Sequence, residues 1–371
     1  MKSRRKFKIA VAIPTFNRLE KLKNAIASIE GQDFDADQVE VLCCLSNSAS
    51  YDGTTDYIDS LRDGKIRFVF NNNVILSREE ADKESGIINF MRLSDIVPRE
   101  VDWVWFMGDD DHLVSNDAIS SLVAILDQAC DGRLSICHIS QARRSRGSGK
   151  VIRGNLLQLC NRLGFHEMLG WMSSLVIRCD VFKEFMAVNK QHYPQSAYGH
   201  SAALLELGVD HDALFIDSRW VETQDDRQTE ESIKRWAAMN VGERYFYVVD
   251  GVLSQFERGI IGRKLHPTFY RYHTYSLWDR YAAFLIGRAL NSGVLTEADW
   301  AHWERIRKIA DTLDDPVFAK LYLAWHGSLS KQVVDVLKMQ KVLLDAKREL
   351  VDYHNRINLG CYPSHELLEI L

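Results

Sequence analysis

Apolar positions in the first half of the chain follow two alternating rhythms. Short continuous runs at Ile9 to Ile13, Val39 to Leu45, Ile66 to Phe70, Trp103 to Met107 and Leu134 to Ile139 each end in polar or turn-forming residues, and predict strands. Between the first two, Leu19, Leu22, Ile26 and Ile29 recur at helical spacing and predict a helix with Asn17 ahead of it as a cap. This alternation predicts an α/β domain, a mainly parallel sheet flanked by helices. A run at Ser174 to Arg178, helices after Asp180 and Gly199, and a strand near Ala213 to Asp217 would complete it. The stretch Gln141 to Gly154 carries Arg143, Arg144, Arg146 and Arg153 without apolar periodicity and reads as a mobile loop, a candidate lid.

From about Arg235 strand signals fade and long helical patterns rich in Trp, Tyr and Arg take over. The expected division is therefore an α/β domain at 1–234 and a C-terminal α-helical module at 235–371. The apolar stripe Val334, Leu337, Leu344 and Val351 could support a homo-oligomer through the C-terminal helices, but it lacks the second seam of a coiled coil and suits packing on the protein's own body.

At 371 residues the chain can bury a large core, and 46 Lys plus Arg against 51 Asp plus Glu give no overall attraction to nucleic acid. Any polyanion must be held locally. The basic start is followed by an apolar run that Pro14 ends short of a signal-peptide core. No stretch approaches the roughly 20 apolar residues that span a bilayer. Seven cysteines with no CxxC pair fit neither a disulfide framework nor a zinc site, which favours the cytoplasm. Aromatic and basic residues in the C-terminal part are compatible with peripheral contact at the inner face of the cell membrane.

Chemistry concentrates in Trp103-Val-Trp-Phe-Met-Gly-Asp-Asp-Asp-His-Leu113, where Asp109, Asp110 and Asp111 follow a strongly apolar strand. Ligands of open α/β sheets bind outside strand C-termini. Adjacent carboxylates repel one another unless a cation or donors neutralise them, and oxygen-only ligands suit Mg²⁺ or Mn²⁺. A divalent ion there could bridge to a diphosphate. The competing reading is a solvated turn whose aspartates cap the helix after Asn116.

Three segments together, Val11-Ala-Ile-Pro-Thr-Phe-Asn-Arg18, Asn47-Ser-Ala-Ser-Tyr-Asp-Gly-Thr54 and Trp105-Phe-Met-Gly-Asp-Asp-Asp111, resemble the family 2 glycosyltransferases of the GT-A fold. The likeness is strongest to the abequosyltransferase-like branch with a Gly-Asp-Asp-Asp motif, and covers about the first 220 residues. It implies a nucleotide-diphosphate sugar donor, a saccharide or lipid-linked acceptor, and a role in bacterial surface polysaccharide synthesis. It also implies that Pro14, Thr15, Asn17 and Arg18 line the nucleotide pocket with Asn47, Ser48 and Asp52, that Asp109 and Asp110 face the donor, and that Asp111 with Asp109 holds the metal. The family usually has Asp where this chain has Asn47; an amide can donate as well as accept, which leaves the base open.

For transfer with inversion the resemblance implies an Asp or Glu base at a helix start well beyond the acidic motif. The corresponding segment, Tyr198-Gly-His-Ser-Ala-Ala-Leu-Leu-Glu206, offers His200 instead. A helix N-terminus disfavours imidazolium and would keep it neutral and able to accept a proton. The other reading of His200 is a capping or packing residue. Glu167 and Glu206 are the alternative bases, with Asp225 and Asp226 behind them, and Trp171, Tyr198 and Trp220 could stack on sugars or simply pack. The rival functions are a catalytically degenerate nucleotide-sugar-binding scaffold and a nucleotidyltransferase, although Pro14 to Arg18 is not a glycine-rich phosphate loop.

Overall fold

The computed structural model describes residues 5–48, 50–73, 89–129, 132–142, 145, 147–193, 198–224, 250–272, 275–276 and a few positions between 297 and 314. By contacts the chain divides into two compact units that interleave along the sequence. Met1–Leu156, Trp171–Gln195 and Asp210–Arg227 form the first, and Leu157–Gly170, Ser196–Val209 and Gln228–Leu371 the second. Most of the expected C-terminal helical module lies outside the described residues.

The first unit holds a nine-stranded sheet, counted among the described residues. Its strands are β1 (Phe7–Thr15), β2 (Val39–Ser48), β3 (Ile66–Asn73), β4 (Trp103–Phe106), β5 (Asp111–Leu113), β6 (Leu134–Gln141), β7 (Val151–Asn155), β8 (Leu175–Arg178) and β9 (Asp212–Thr223). The spatial order is β3, β2, β1, β4, β8, β6, β9, β5, with β7 also on β9. Strands β3, β2, β1 and β4 run parallel, and β6 pairs parallel with β9. Strand β8 is antiparallel to both β4 and β6, and β5 and β7 are antiparallel to β9, so the sheet is mixed where the sequence pattern predicts a mainly parallel one. This half-and-half sheet keeps the strand ends of β1, β2 and β4 side by side at one edge of the parallel half. That is where the chemistry collects.

Strand β4 shows why its sequence is apolar without interruption: both its faces are covered. Trp103 and Trp105 join a core with Ile9, Val11, Leu22, Ile26 and Cys43. Phe106, on the other face, meets Phe90 at 5.2 Å and Phe182 at 5.5 Å. Those partners come from α3 (residues 89–96) and α7 (Cys179–His192). Helix α1 (Leu19–Glu30) buries Leu22, Ala25, Ile26 and Ile29, one stripe at three- and four-residue spacing. Helices α2 (Thr54–Ser60) and α4 (Ala118–Ala129) follow β2 and β5.

Of the stretch read as a lid, Gln141 ends β6 and Val151 to Gly154 belong to β7, which pairs with β9 from Val151↔Ile216 to Asn155↔Asp212. Fully buried Asp217 accepts hydrogen bonds from Ser145 Oγ at 2.5 Å and Ser148 Oγ at 2.5 Å, which pins the described part of the loop. Arg143, Arg144 and Arg146 lie outside the described residues.

In the second unit the described parts of the chain are largely helical: α5 (Leu156–Leu163, of which Leu156 belongs to the first unit), α6 (Phe165–Leu169), α8 (Gly199–Gly208) and residues 250–257. Gln255 Nε2 donates to the Ala202 carbonyl at 2.7 Å, and Phe165 stacks on Phe269 at 5.2 Å. Among the described residues no helix is long and apolar enough to cross a membrane.

Candidate active site

The end of β1 and the turn after β4 meet through side chains. Thr15 Oγ1 donates to Asp109 Oδ2 at 2.8 Å, and Arg18 Nη1 donates to Asp109 Oδ1 and Asp110 Oδ2, each at 2.8 Å. Asp109 therefore has a hydrogen bond on both oxygens. Asp111 opens β5 and is bound differently: the Ser173 hydroxyl donates to its Oδ2, and Thr223 stands opposite it on β9. The turn's backbone is clamped by Gln224, whose N–H donates to the Asp110 carbonyl at 2.8 Å and whose amide reaches the Asp109 and Asp111 carbonyls at 3.3 and 3.4 Å.

Burial and like charge dominate the electrostatics here. Burial, outweighing the attraction of Arg18, pushes the Asp109 carboxyl up to about 6. Burial and then the Asp110 charge push Asp111 up to about 7. The Asp109 carboxylate in turn raises Arg18 above its ordinary value. A carboxylate that is costly to ionise where it sits is stabilised by an added positive charge, so this turn favours a cation.

The donor set fits one. A Cβ built on Gly108 would lie 2.8 Å from Asp110 Oδ1 and 2.9 Å from Asp111 Oδ2, so two carboxylate oxygens from different residues converge on a space that only glycine leaves open. All the donors are oxygens, as Mg²⁺ and Mn²⁺ prefer. Among the described residues no group of three acidic, His or Cys side chains closes on one point, so water or a ligand would complete the coordination. Gly108→Ala is expected to displace these carboxylates and weaken Mn²⁺ binding at least tenfold, an order of magnitude typical of disturbed ligand geometry. A metal titration of the folded variant checks this, and an unchanged dissociation constant would remove the space beside Gly108 from the site.

The two loops expected to hold a nucleotide are stitched together. Asn17 sits at φ 51, where Asn is tolerated better than most residues. Its N–H donates to Ser50 Oγ at 2.9 Å, and its side-chain oxygen accepts from Tyr51 N at 2.9 Å. The cap of α1 is thus not Asn17: Asp52 Oδ2 accepts the Leu19 N–H at 3.0 Å. Asn47 accepts from Ser50 Oγ at 2.6 Å and donates through Nδ2 to Thr55 Oγ1 at 2.9 Å and Asn72 Oδ1 at 3.0 Å. Because Asn72 spends its own amide on Asp59, its oxygen needs a donor, which a carboxylate at position 47 could not supply. Pro14 pairs with Ser46 in the sheet, and Asn89 fastens α3 by donating to the Thr15 carbonyl at 2.6 Å. The Ser48 hydroxyl is fully buried and has no hydrogen-bond partner among the described residues.

The three base candidates all belong to the second unit. His200 lies in the first turn of α8, 8% exposed, its Nε2 3.4 Å from the Gly170 carbonyl oxygen. Burial pushes its imidazole down to about 4, and the Gly170 and Leu169 carbonyls offset this only in part. Glu206 is held by Arg258 through two contacts of 2.6 and 2.7 Å. Glu167 is half-buried in the first turn of α6. Tyr198 lies 5.3 Å from the His166 ring and 6.0 Å from His200, while Trp171 and Trp220 pack partly buried on the core of the first unit. Asp225 and Asp226 lie outside the described residues. Sequence reasoning missed Ser173, Thr223 and Gln224, whose only signal was polar residues at the ends of two apolar strands.

An α/β sheet with an acidic turn outside a central strand offers a ligand-binding site. The family described as "Glycosyl transferase family 2" matches residues 10–182, just under half of the chain. Abequosyltransferase RfbV of Salmonella typhimurium is 28% identical over 186 residues, 46% of this chain and 52% of that protein. The GalNAc(5)-diNAcBac-PP-undecaprenol beta-1,3-glucosyltransferase of Campylobacter jejuni is 26% identical over 199 residues, 53% of this chain and 58% of that protein. The match thus spans little more than half the length of these relatives. The fold is similar to that of S. aureus TarS 1-349, solved in complex with UDP-GlcNAc, at a TM-score of 0.54 and 13% identity over 93% of this chain and 92% of that one.

Proposed function

We propose that the chain is an inverting glycosyltransferase that moves a sugar from a nucleoside-diphosphate sugar to a saccharide or lipid-linked acceptor in the synthesis of a bacterial surface polysaccharide. The observation that carries this reading is the joining of Thr15 and Arg18 to Asp109 and Asp110, with Asp111 beside them, at the ends of β1 and β4. The named relatives support it: both are sugar transferases, and one acts on an undecaprenol-linked saccharide by its name.

In this reading the loops around Asn17 and Asp52 cradle the nucleoside, and Arg18 reaches the donor over Asp109 and Asp110. Asp111, with the free oxygen of Asp110, would hold a Mn²⁺ or Mg²⁺ ion. When bound, that ion would neutralise charge developing on the departing diphosphate. Asp109, already bound on both oxygens, orders Thr15 and Arg18 around the donor. Glu206, committed to Arg258, serves as a brace, which leaves His200 and Glu167 as the groups to take the acceptor's proton. His200 is neutral at pH 7, the state that a proton acceptor requires.

Thermal unfolding with UDP, GDP, CDP and dTDP, each with and without Mn²⁺, tests the donor site. A ligand at about one hundred times its dissociation constant stabilises the folded state by roughly 2.7 kcal/mol. One nucleotide is expected to raise the melting temperature in a metal-dependent way. No shift with any of the four would overturn the donor reading.

A further inference from the structure

We infer that Ser173 is a positioning residue for Asp111, holding this carboxylate, beside the pair that Arg18 binds, in place for a cation. The inference rests on the donor reading above and assigns a division of labour within it. Arg18, a cation, is spent on Asp109 and Asp110. Asp111 instead receives a hydrogen bond from a neutral hydroxyl, that of Ser173, and stands opposite Thr223 on β9. A neutral donor fixes the direction of a carboxylate without cancelling its charge, and one such donor leaves most of its lone-pair sites open.

The Ser173 hydroxyl has no freedom to do otherwise. Its oxygen accepts the Gly108 N–H at 2.8 Å, so its single proton is left for Asp111. Ser173 is itself held: its carbonyl accepts from Trp105 Nε1 at 2.9 Å, and it lies within the 3₁₀ turn Met172–Ser174, closed by Ser174 Oγ on the Trp171 carbonyl at 2.6 Å. Opposite Asp111 on β9, Thr223 Oγ1 accepts from Gln141 Nε2 at 3.2 Å, which holds the Thr223 hydroxyl in place beside the strand. Two rigid elements therefore bracket one carboxylate. Ser173 is 1% exposed, so water does not replace its hydroxyl at no cost.

The test is Mn²⁺ binding to the full chain, followed by the electron paramagnetic resonance signal of free Mn²⁺, with and without UDP, for the wild type, Ser173→Ala and Thr223→Val. UDP affinity without metal is measured alongside. Ser173→Ala is expected to raise the Mn²⁺ dissociation constant about tenfold or more, the order seen when a ligand loses its orienting partner, while metal-free UDP affinity changes less than about twofold. Thr223→Val, which keeps the side-chain shape, should act in the same direction and serves if Ser173→Ala does not fold. Folded variants that bind Mn²⁺ as the wild type does would overturn the inference and leave the donor reading standing. So would a parallel fall in metal-free UDP binding, the mark of a merely structural role. A wild type that takes up no Mn²⁺ would overturn both.

Discussion

Asp111→Asn is expected to lower sugar transfer by about 10²- to 10³-fold, the cost typical of removing one pre-oriented group that stabilises developing charge. The substitution keeps the shape of the side chain, and the Ser173 hydroxyl can still donate to the amide oxygen. What it removes is the negative charge. Burial makes that charge costly to the fold, so the variant should lose activity without losing stability. The sign follows from the raised carboxyl: between its ordinary 3.8 and about 7 the folded chain binds the Asp111 proton more tightly than the unfolded chain does. The wild type therefore loses stability as pH rises through that window, and a neutral Asn does not. At pH 8 the variant should melt no earlier than the wild type while releasing nucleoside diphosphate far more slowly from whichever sugar nucleotide the wild type turns over. A variant with half the wild-type rate would end Asp111's role, and one that melts several degrees earlier at pH 8 would show the carboxylate to be a structural anchor.

Elements with two-sided or one-sided apolar patterns were legible in the sequence, and those held by polar side chains were not. The run Trp103 to Met107 predicted β4 because both faces of that strand are packed. Leu22, Ile26 and Ile29 predicted α1 for the complementary reason, a single buried stripe. Strand β7 escaped because Val151 is exposed and its partner β9 is longer than the apolar run Ala213 to Asp217 suggests. The register shifts between β6 and β9 let that strand continue to Thr223 and so bring Thr223 opposite Asp111. Local sequence cannot carry such information, because it depends on which strands become neighbours. The same limit governed the site. Three adjacent aspartates announced themselves, whereas Ser173 acquires its role only from a fold that places it beside a turn 62 positions earlier in the chain. The helix cap shows the point in miniature: Asn17 has the right chemistry and spacing, yet Asp52, from another loop, accepts the Leu19 N–H.

His200 separates catalysis from architecture most cleanly, because its two roles make opposite demands. Its ordinary value of 6.5 falls to about 4 in the fold, chiefly through burial. As pH drops from 6.5 towards 4 the unfolded chain takes up a proton that the folded chain refuses, so stability is lost across that window and is fully present above it. A difference of this size corresponds to about 3 kcal/mol by pH 4. His200→Gln removes the titration and should flatten this acid limb, read as the opening free energy of the α8 amides by hydrogen exchange at pH 7 and pH 4.5. Parallel curves for the two proteins would mean that the ring is protonated freely in the fold. The kinetic arm uses the same variant. A base that accepts the acceptor's proton directly contributes about 10²- to 10⁴-fold, so a catalytic His200 predicts a loss of at least that order in kcat. A packing His200 predicts a rate within about tenfold of the wild type, with the decisive loss transferred to Glu167→Gln. The acid limb and the rate together thus assign the proton acceptor to one of the two residues, since burial alone produces the first and only direct proton transfer moves the second.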